Sequence, residues 1–189
     1  MNTQKITMPS LFFSGNSLAG EEVVKSARKL GDLAGIFGDE VSFAALPAET
    51  PVYEVYSHLP VREGTPGGLY FGLTKLYPGK VEREYFMTKG HFHQQTGRTE
   101  YYWCLEGEGV LILMDGERNG WAEKMFPGSL HHIAGGVAHR VANTGSGMLS
   151  FAAAWPSDAG HDYATIASDG FSARLLEVNG VPQLEITNH

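Results

Sequence analysis

The sequence predicts a mainly β protein in which two sheets pack into a small barrel. From residue 51 onwards, short runs of β-branched and aromatic residues alternate with turn sequences rich in Gly, Pro, Asn and Asp. Many short strands at regular spacing are typical of a sandwich or a barrel. In a small double-sheet barrel the inward faces of several strands surround one pocket, where we expect the functional side chains to converge.

Each predicted strand is bounded by turn residues such as Asp115-Gly116 or Pro127-Gly128. The predicted strands are 52–56, 68–76, 81–88, 100–105, 110–114, 122–126, 130–133, 139–143 and 148–155. The sequence also predicts a final hairpin around Asn179-Gly180, formed by residues 171–178 and 181–187. This hairpin could pair with another strand edge or with a partner subunit.

The N-terminal part predicts less regular structure. Residues 1–20 contain Pro9, Gly15 and Gly20 and predict an arm that lies over the body of the protein. Residues 21–33 predict a helix, because acidic residues lead and apolar residues recur at near-helical spacing. Residues 37–47 are ambiguous, and a short helix near 43–46 is one interpretation.

Four residues form a candidate metal site: His91, His93, Glu100 and His139. The two histidines separated by one residue point to the same side of an extended chain, so both rings can meet one ion. Glu100 shares a strand face with Tyr102, and its carboxylate can reach the imidazoles if these segments are neighbouring strands. Three imidazoles and one carboxylate suit iron(II), manganese, nickel or zinc.

The whole chain restricts the function further. We expect residues 1–189 to form a single domain, with 1–50 as the arm and helix, 51–156 as the metal-binding barrel core, and 157–189 as the C-terminal segment and hairpin. The lone Cys104 excludes an internal disulfide and is expected to be a buried structural thiol. The formal net charge of -7 argues against nucleic acid or an anionic membrane as a partner. Residues 11–13 are too short an apolar run for a signal or a membrane span, so we expect a cytoplasmic protein.

The metal residues also carry a resemblance. Together with Gly107, Gly128, Gly136 and Asn143 they resemble the two-part motif of the cupins, which implies a cupin-type (jelly roll) barrel. Over about residues 21–176 the chain is similar to the cupin-type phosphoglucose isomerases. The segments that carry this similarity are Pro51 to Tyr56, Leu76 to Val81, Thr88 to His93, Arg98 with Glu100, and Pro156 to Tyr163.

The resemblance implies a metal-dependent interconversion of glucose 6-phosphate and fructose 6-phosphate on a homodimer. It implies one divalent ion per subunit, with Fe²⁺ expected and Mn²⁺, Ni²⁺ or Zn²⁺ as alternatives, held by His91, His93, Glu100 and His139. Glu100 and His161 are the expected catalytic residues. The residues expected around the sugar phosphate are Thr74, Thr88, Gly90, Tyr102, His161 and Tyr163, and a protonated His161 could add charge there.

Alternatives remain open at this point. The same ligands could serve an iron-dependent oxygenase or an isomerase of another sugar phosphate, because one scaffold hosts many chemistries. A non-catalytic sugar-binding cupin is a third interpretation. Trp155 stands where this family is expected to have a tyrosine, which removes a phenol from the pocket and leaves an indole N–H in its place. His131 and His132 are expected to be structural or solvent-exposed.

Overall fold

The computed structural model describes residues 6–187, and strands dominate it. The strands are β1 (Leu11–Ser14), β2 (Ser17–Gly20), β3 (Val23–Lys29), β4 (Pro51–His58), β5 (Leu69–Leu76), β6 (Lys80–Val81), β7 (Glu84–Tyr85), β8 (Glu100–Glu106), β9 (Gly109–Met114), β10 (Gly120–Met125), β11 (Leu130–Ile133), β12 (Ala138–Asn143), β13 (Leu149–Pro156), β14 (Ala173–Val178) and β15 (Val181–Ile186). Two short helices, α1 (Glu40–Ala45) and α2 (Ala164–Asp169), and a 3₁₀ turn at Leu30–Leu33 complete the secondary structure. None of the helices within residues 6–187 has the length and apolar character needed to cross a bilayer.

Two layers of strands enclose the core. One layer is a six-stranded sheet in the order β11-β8-β13-β5-β4-β3. The other layer combines a three-stranded sheet, β10-β9-β12, with a four-stranded sheet, β15-β14-β7-β6. Inward residues of both layers, such as Leu76, Phe151, Leu111 and Val141, belong to one buried apolar cluster. The predicted mainly β, double-sheet cupin fold is therefore confirmed.

The C-terminal hairpin forms as its turn sequence predicts. β14 and β15 pair antiparallel, with Val178 opposite Val181. The two turn residues, Asn179 and Gly180, have φ values of 54° and 77°. Positive φ at both central positions is the requirement of a type I′ turn, which Asn-Gly meets at little cost.

The predicted helix over residues 21–33 is wrong, because Val23–Lys29 forms strand β3. It pairs antiparallel with β4 at the edge of the six-stranded sheet, from Val23 opposite His58 to Lys29 opposite Pro51. All but the first residue of β3 are exposed. The hydrogen bonds offered by the open edge of β4 outweigh the weak helical pattern.

The N-terminal segment is more regular than predicted. Within the expected arm, β1 and β2 form a hairpin, and Phe13 packs edge-on against Phe71 of the six-stranded sheet. Residues 1–5 of the arm lie outside the described residues. A short N-terminal helix does exist, but it is α1, where the Asp39 side chain accepts a hydrogen bond from the Ser42 N–H at 2.9 Å.

The segment between β5 and β8 is less regular than predicted. Instead of one strand over 81–88, the chain forms the short strands β6 and β7 and then runs irregularly to residue 99. Three isolated backbone pairings hold it: Met87 with Ala142, His91 with His139, and Phe92 with Asp162. Gly90 lies here with a φ of 76°, and a Cβ on it would stand only 2.7 Å from the Phe171 ring. Glycine is therefore required at the point where this segment turns into the site.

Candidate metal centre

Four side chains converge between the two layers. Ligand atoms of His91, His93, Glu100 and His139 all lie within 4.8 Å of one another. The His91 and His139 backbones pair directly, with N–H to O distances of 3.3 and 3.1 Å. Glu100 comes from β8 in the opposite sheet, so its strand is not a neighbour of the His91 segment. The carboxylate instead reaches the imidazoles across the interior of the barrel.

Backbone carbonyls orient two of the imidazole rings. His93 Nδ1 lies 3.0 Å from the Arg98 carbonyl oxygen, and His139 Nδ1 lies 3.2 Å from that of Val137. A ring that donates its Nδ1–H to a carbonyl keeps the lone pair on Nε2 free for a metal ion. Both Nε2 atoms face the same Glu100 oxygen, at 3.2 Å from His93 and 3.1 Å from His139.

The cluster contains polar atoms that the protein itself does not satisfy. The Nε2 atoms of His91 and His139 are buried and make no hydrogen bond to any described residue, although His139 Nε2 lies 3.1 Å from the Glu100 carboxylate. Buried polar atoms are normally paired, and an exception calls for an explanation. A divalent cation bound by these lone pairs and by Glu100 supplies one, and the mixed nitrogen and oxygen donor set fits such an ion.

The protonation states also suit metal ligation. Burial alone would raise the pKa of Glu100, but contacts with His139 and His93 outweigh it, and the pKa is lowered. Burial, together with the neighbouring imidazoles, lowers the pKa of His91 well below its usual value of 6.5. The site therefore favours an ionised carboxylate beside a neutral His91.

A cavity of about 230 Å³ opens above this cluster. His91, Glu100 and His139 form part of its wall, while His93 lies behind them. The cavity brings together every residue that the sequence assigned to the sugar phosphate, namely Thr74, Thr88, Gly90, Tyr102, His161 and Tyr163.

These residues differ in what they can offer a ligand. The Gly90 N–H makes no hydrogen bond to any described residue, whereas Thr88 Oγ1 already accepts one from the Val141 N–H at 3.0 Å. Burial and the Glu100 charge raise the pKa of Tyr102 well above 10, so its phenol stays protonated. The partial burial of the His161 ring lowers its pKa, although the residue is still exposed to solvent on one side. The idea that a protonated His161 adds charge at neutral pH therefore finds no support.

Sequence reasoning missed the polar side chains that β3 contributes. Ser26 and Arg28 alternate along β3 and line the cavity, as does Ser57 on the adjacent β4. Period-two alternation would have revealed the first two, but residues 21–33 were interpreted as a helix. Lys89 also lines the cavity, with its Nζ 5.1 Å from the centre of the Tyr163 ring.

Trp155 forms a side wall of the cavity. Its ring lies edge-on to Tyr70, with 5.8 Å between the ring centroids. Gly72 lies beneath it, and a Cβ on Gly72 would stand 3.1 Å from the indole. The small residue on β5 therefore leaves the space that the indole occupies.

An ion pair ties the loop of His93 to the segment that carries His161. Arg98 binds Asp158 through two hydrogen bonds, of 2.8 Å from Nε and 2.6 Å from Nη2. The backbone N–H of Gln95 donates to the Ala159 carbonyl at 3.0 Å. Since the Arg98 carbonyl also orients His93, this pair links a metal ligand to the rim of the cavity.

The two histidines of β11, His131 and His132, lie outside the metal group. His131 is buried, with Nε2 2.9 Å from Ser129 Oγ and Nδ1 2.6 Å from Glu123 Oε2. Ser129 Oγ also accepts the Phe126 N–H, so this trio holds a turn of the chain. His132 is exposed on the other face and packs against Tyr101.

The double-sheet fold and the His/Glu cluster define the class of this chain as a cupin with a candidate metal site. A family model described as glucose-6-phosphate isomerase (GPI) matches residues 27–188, and the chain belongs to that family.

Named relatives agree with this assignment. The chain is 43% identical to a glucose-6-phosphate isomerase of Thermococcus litoralis over 85% of its own length and 84% of that protein. It is 44% identical to one of Pyrococcus furiosus, covering 85% of each chain. A putative glucose-6-phosphate isomerase 1 of Rhizobium meliloti is 36% identical over 79% of this chain and 71% of that protein. An oxalate decarboxylase structure from Bacillus subtilis overlaps 58% of this chain and 26% of its own, with 16% identity and a TM-score of 0.44, which is too low to support an inference.

We expect the His139→Ala variant to lose stoichiometric metal binding. It removes a ligand outright, so affinity should fall by more than the roughly 10–100-fold that follows loss of an outer hydrogen-bond partner. The measurement is metal content after dialysis, together with calorimetric titration of the metal-stripped protein. His131→Ala is the matched control, because it removes another buried histidine outside the cluster. Equal losses in the two variants would contradict this assignment of ligands.

Proposed function

We propose that this chain catalyses the reaction of its family, the interconversion of glucose 6-phosphate and fructose 6-phosphate, at a divalent metal ion. The observation that carries the proposal is one cavity with convergent metal-ligand atoms at its base and hydrogen-bond donors and cations around it. An aldose–ketose isomerase of a sugar phosphate needs both a centre that stabilises charge near C1 and C2 and a place for the phosphate. Such substrates are intracellular metabolites, and we propose a cytoplasmic location accordingly.

His91, His93, Glu100 and His139 would hold one ion per subunit. Fe²⁺ is the ion that we propose, and Mn²⁺, Ni²⁺ and Zn²⁺ are compatible with the same donors. When bound, a divalent ion would polarise the substrate carbonyl and stabilise negative charge on the neighbouring oxygens.

Glu100 is the proposed group that carries a proton between C2 and C1. Its lowered pKa keeps it ionised and able to accept a proton. A carboxylate that is also a metal ligand is a weaker base, so Glu100 would have to loosen from the centre when substrate binds. In the alternative route the hydrogen moves directly between the two carbons, and Glu100 acts only as a ligand. Exchange of that hydrogen with solvent distinguishes the two routes.

His161 is the second proposed catalytic residue. Isomerisation also exchanges carbonyl and hydroxyl character between two adjacent oxygens, so a proton must move between them. A neutral imidazole has one donor and one acceptor nitrogen and can perform this transfer. The His161 ring lies edge-on to the His91 ring, with 4.4 Å between the ring centroids, and it stacks on the Tyr163 ring. Tyr102 and Tyr163 would donate hydrogen bonds to the sugar hydroxyls.

The phosphate is proposed to bind near Thr88 and Gly90, with Thr74 close by. Because the chain carries a net charge of -7, a dianion must be held by local donors rather than by the overall field. The Gly90 N–H, which donates to none of the residues that the structure describes, is one such donor. Arg28 and Lys89, which line the same cavity, would supply the positive charge.

We expect protein purified from a host without its own isomerase, and stripped of metal, to convert fructose 6-phosphate only after a divalent ion is restored. Fe²⁺, Mn²⁺, Ni²⁺ and Zn²⁺ would be supplied separately and formation of glucose 6-phosphate followed. The His93→Ala variant is the control for host contamination and should stay inactive with every ion. A folded, metal-loaded protein without turnover would contradict the substrate assignment and direct attention to Trp155.

Arg28→Met should raise the KM for fructose 6-phosphate about 10-fold while leaving kcat nearly unchanged, since it removes a charge-assisted contact to a part of the substrate that does not react. Steady-state kinetics of the metal-loaded enzyme measure both constants. Lys25→Met is the matched control, because Lys25 lies on the same strand but outside the cavity wall. If both variants raised KM equally, the effect would come from net charge and not from the position of Arg28.

We also propose a homodimer that uses the outer face of the six-stranded sheet. Tyr101 and Trp103 on β8 are 49% and 48% exposed, and Leu130 on β11 is 64% exposed. Leu130 stands opposite Trp103, and His132 stands opposite Tyr101, so the four side chains form one continuous patch. Exposed apolar patches rich in aromatic residues are typical of protein interfaces.

Trp103→Ser should shift the protein from dimer to monomer, because it removes the largest side chain of this patch. Sedimentation equilibrium over a range of protein concentrations gives the dissociation constant. Trp121→Ser is the matched control, since Trp121 is 39% exposed on β10, outside the patch. A dimer that Trp103→Ser leaves intact would exclude this face as the interface.

A further inference from the structure

A second cavity, of about 170 Å³, lies on the far side of the Lys89–Gly90 segment from the substrate cavity. Its wall combines apolar side chains, among them Ile36, Ile166 and Phe171, with three cationic side chains. The cations are Lys89, Arg140 and Arg174, and the one acidic residue in the wall is Asp32. A small enclosure with this excess of positive charge is suited to an anion.

Arg140 is the residue that most clearly lacks a partner. It is 4% exposed, and its Nη2 donates to the Ala173 carbonyl at 2.8 Å. Its guanidinium carbon lies 4.3 Å from the centre of the Phe171 ring. The buried Nε has no hydrogen-bond partner among the described residues, and Nη1 makes no hydrogen bond there either. A buried guanidinium is expected to be paired with an anion.

The nearby carboxylates do not provide that pairing. Asp32 is exposed, and its Oδ2 accepts the Lys29 N–H at 2.9 Å. Glu84 is buried close enough to offset part of the Arg140 charge, but its Oε2 accepts the Gly38 N–H at 2.8 Å, and its nearest cationic atom within residues 6–187 is Arg174 Nη1 at 4.0 Å. Its Oε1 is buried and has no hydrogen-bond partner among the described residues. Within residues 6–187, neither carboxylate forms an ion pair with Arg140.

Gly38 leaves the space in which the Arg174 side chain lies. Its guanidinium lies directly against Gly38, and a Cβ on that glycine would collide with Nη1. The absence of a side chain at residue 38 therefore lets Arg174 face the cavity. Lys89 belongs to the walls of both cavities, and its flexible side chain can serve either one.

We propose that this second cavity binds a small tetrahedral oxyanion, either inorganic phosphate or the phosphoryl group of a metabolite, between Arg140, Arg174 and Lys89. Three cations converge on the space, and the guanidinium fork matches the geometry of phosphate oxygens. An anion held there attracts Lys89 away from the substrate cavity and so weakens sugar phosphate binding. The binding site stands on the geometry alone, while its effect on substrate affinity rests on the proposed isomerase function.

Calorimetric titration of the metal-loaded protein with inorganic phosphate tests the site directly. The wild-type protein should bind two phosphates per chain, one in each cavity. Arg174→Gln removes a charge-assisted contact and should weaken phosphate binding at one of the two sites about 10-fold or more. When no inorganic phosphate is present, the same variant should have an unchanged KM for fructose 6-phosphate. Arg83→Gln is the matched control, because Arg83 forms an ion pair with the adjacent Glu82 at the surface and lies outside both cavity walls.

Gly38→Ala gives a second test that keeps every charge. The added methyl displaces the Arg174 guanidinium, so the same site should weaken while the net charge is unchanged. Circular dichroism checks that both variants are folded. A parallel titration with glycerol 3-phosphate separates the sources: binding of phosphate alone points to the free ion, and comparable binding of the ester points to a metabolite.

A single phosphate per wild-type chain, with an affinity that neither Arg174→Gln nor Gly38→Ala changes, would overturn the proposal and leave a water-filled cavity. The weakening of one phosphate site by Arg174→Gln and Gly38→Ala does not depend on the isomerase reaction, so this part of the result is independent of whether the proposed function holds. If two phosphates bind but the second has no effect on KM, the site stands and its coupling through Lys89 is wrong.

Discussion

The structure depends on one electrostatic constraint: buried imidazole nitrogens surround a buried carboxylate, and the protein alone does not satisfy them. His91 and His139 each bury an Nε2 that no residue in the range 6–187 hydrogen-bonds, and both lie close to Glu100. Such an arrangement is costly in a dry interior, unless a cation joins the lone pairs to the carboxylate. A bound divalent cation would satisfy all four groups together.

The fold meets this constraint by bringing ligands from opposite layers to one point. Glu100 comes from the six-stranded sheet, and His139 comes from the facing three-stranded sheet. The irregular segment after β7 supplies His91 and His93, and it bends where Gly90 adopts a positive φ. Gly90 itself also lines the cavity. The proposed metal and phosphate sites are thus adjacent because one short segment of chain contributes to both.

Local patterns predicted much of this from sequence, and long-range pairings account for what they missed. Alternation along β8 identified Glu100 and Tyr102 as sharing a face, and Asn179-Gly180 identified the last hairpin. The structure of the β3 segment was predicted wrongly because its few apolar residues fit a helical period. Its actual structure is decided by the open edge of β4, which no local pattern encodes. Because of that error, Arg28 was not recognised as a residue of the cavity. The second cavity was invisible for the same reason, since Asp32, Arg140 and Arg174 meet only in the folded chain.

The central claim is that three imidazoles and one carboxylate bind a single ion. X-ray absorption spectroscopy of the protein loaded with one equivalent of Zn²⁺ tests it most directly. The account predicts three imidazole nitrogens and at least one carboxylate oxygen at roughly 2.0–2.2 Å from the metal, with no sulfur ligand. A sulfur scatterer from Cys104, or fewer than three imidazoles around the ion, would contradict it.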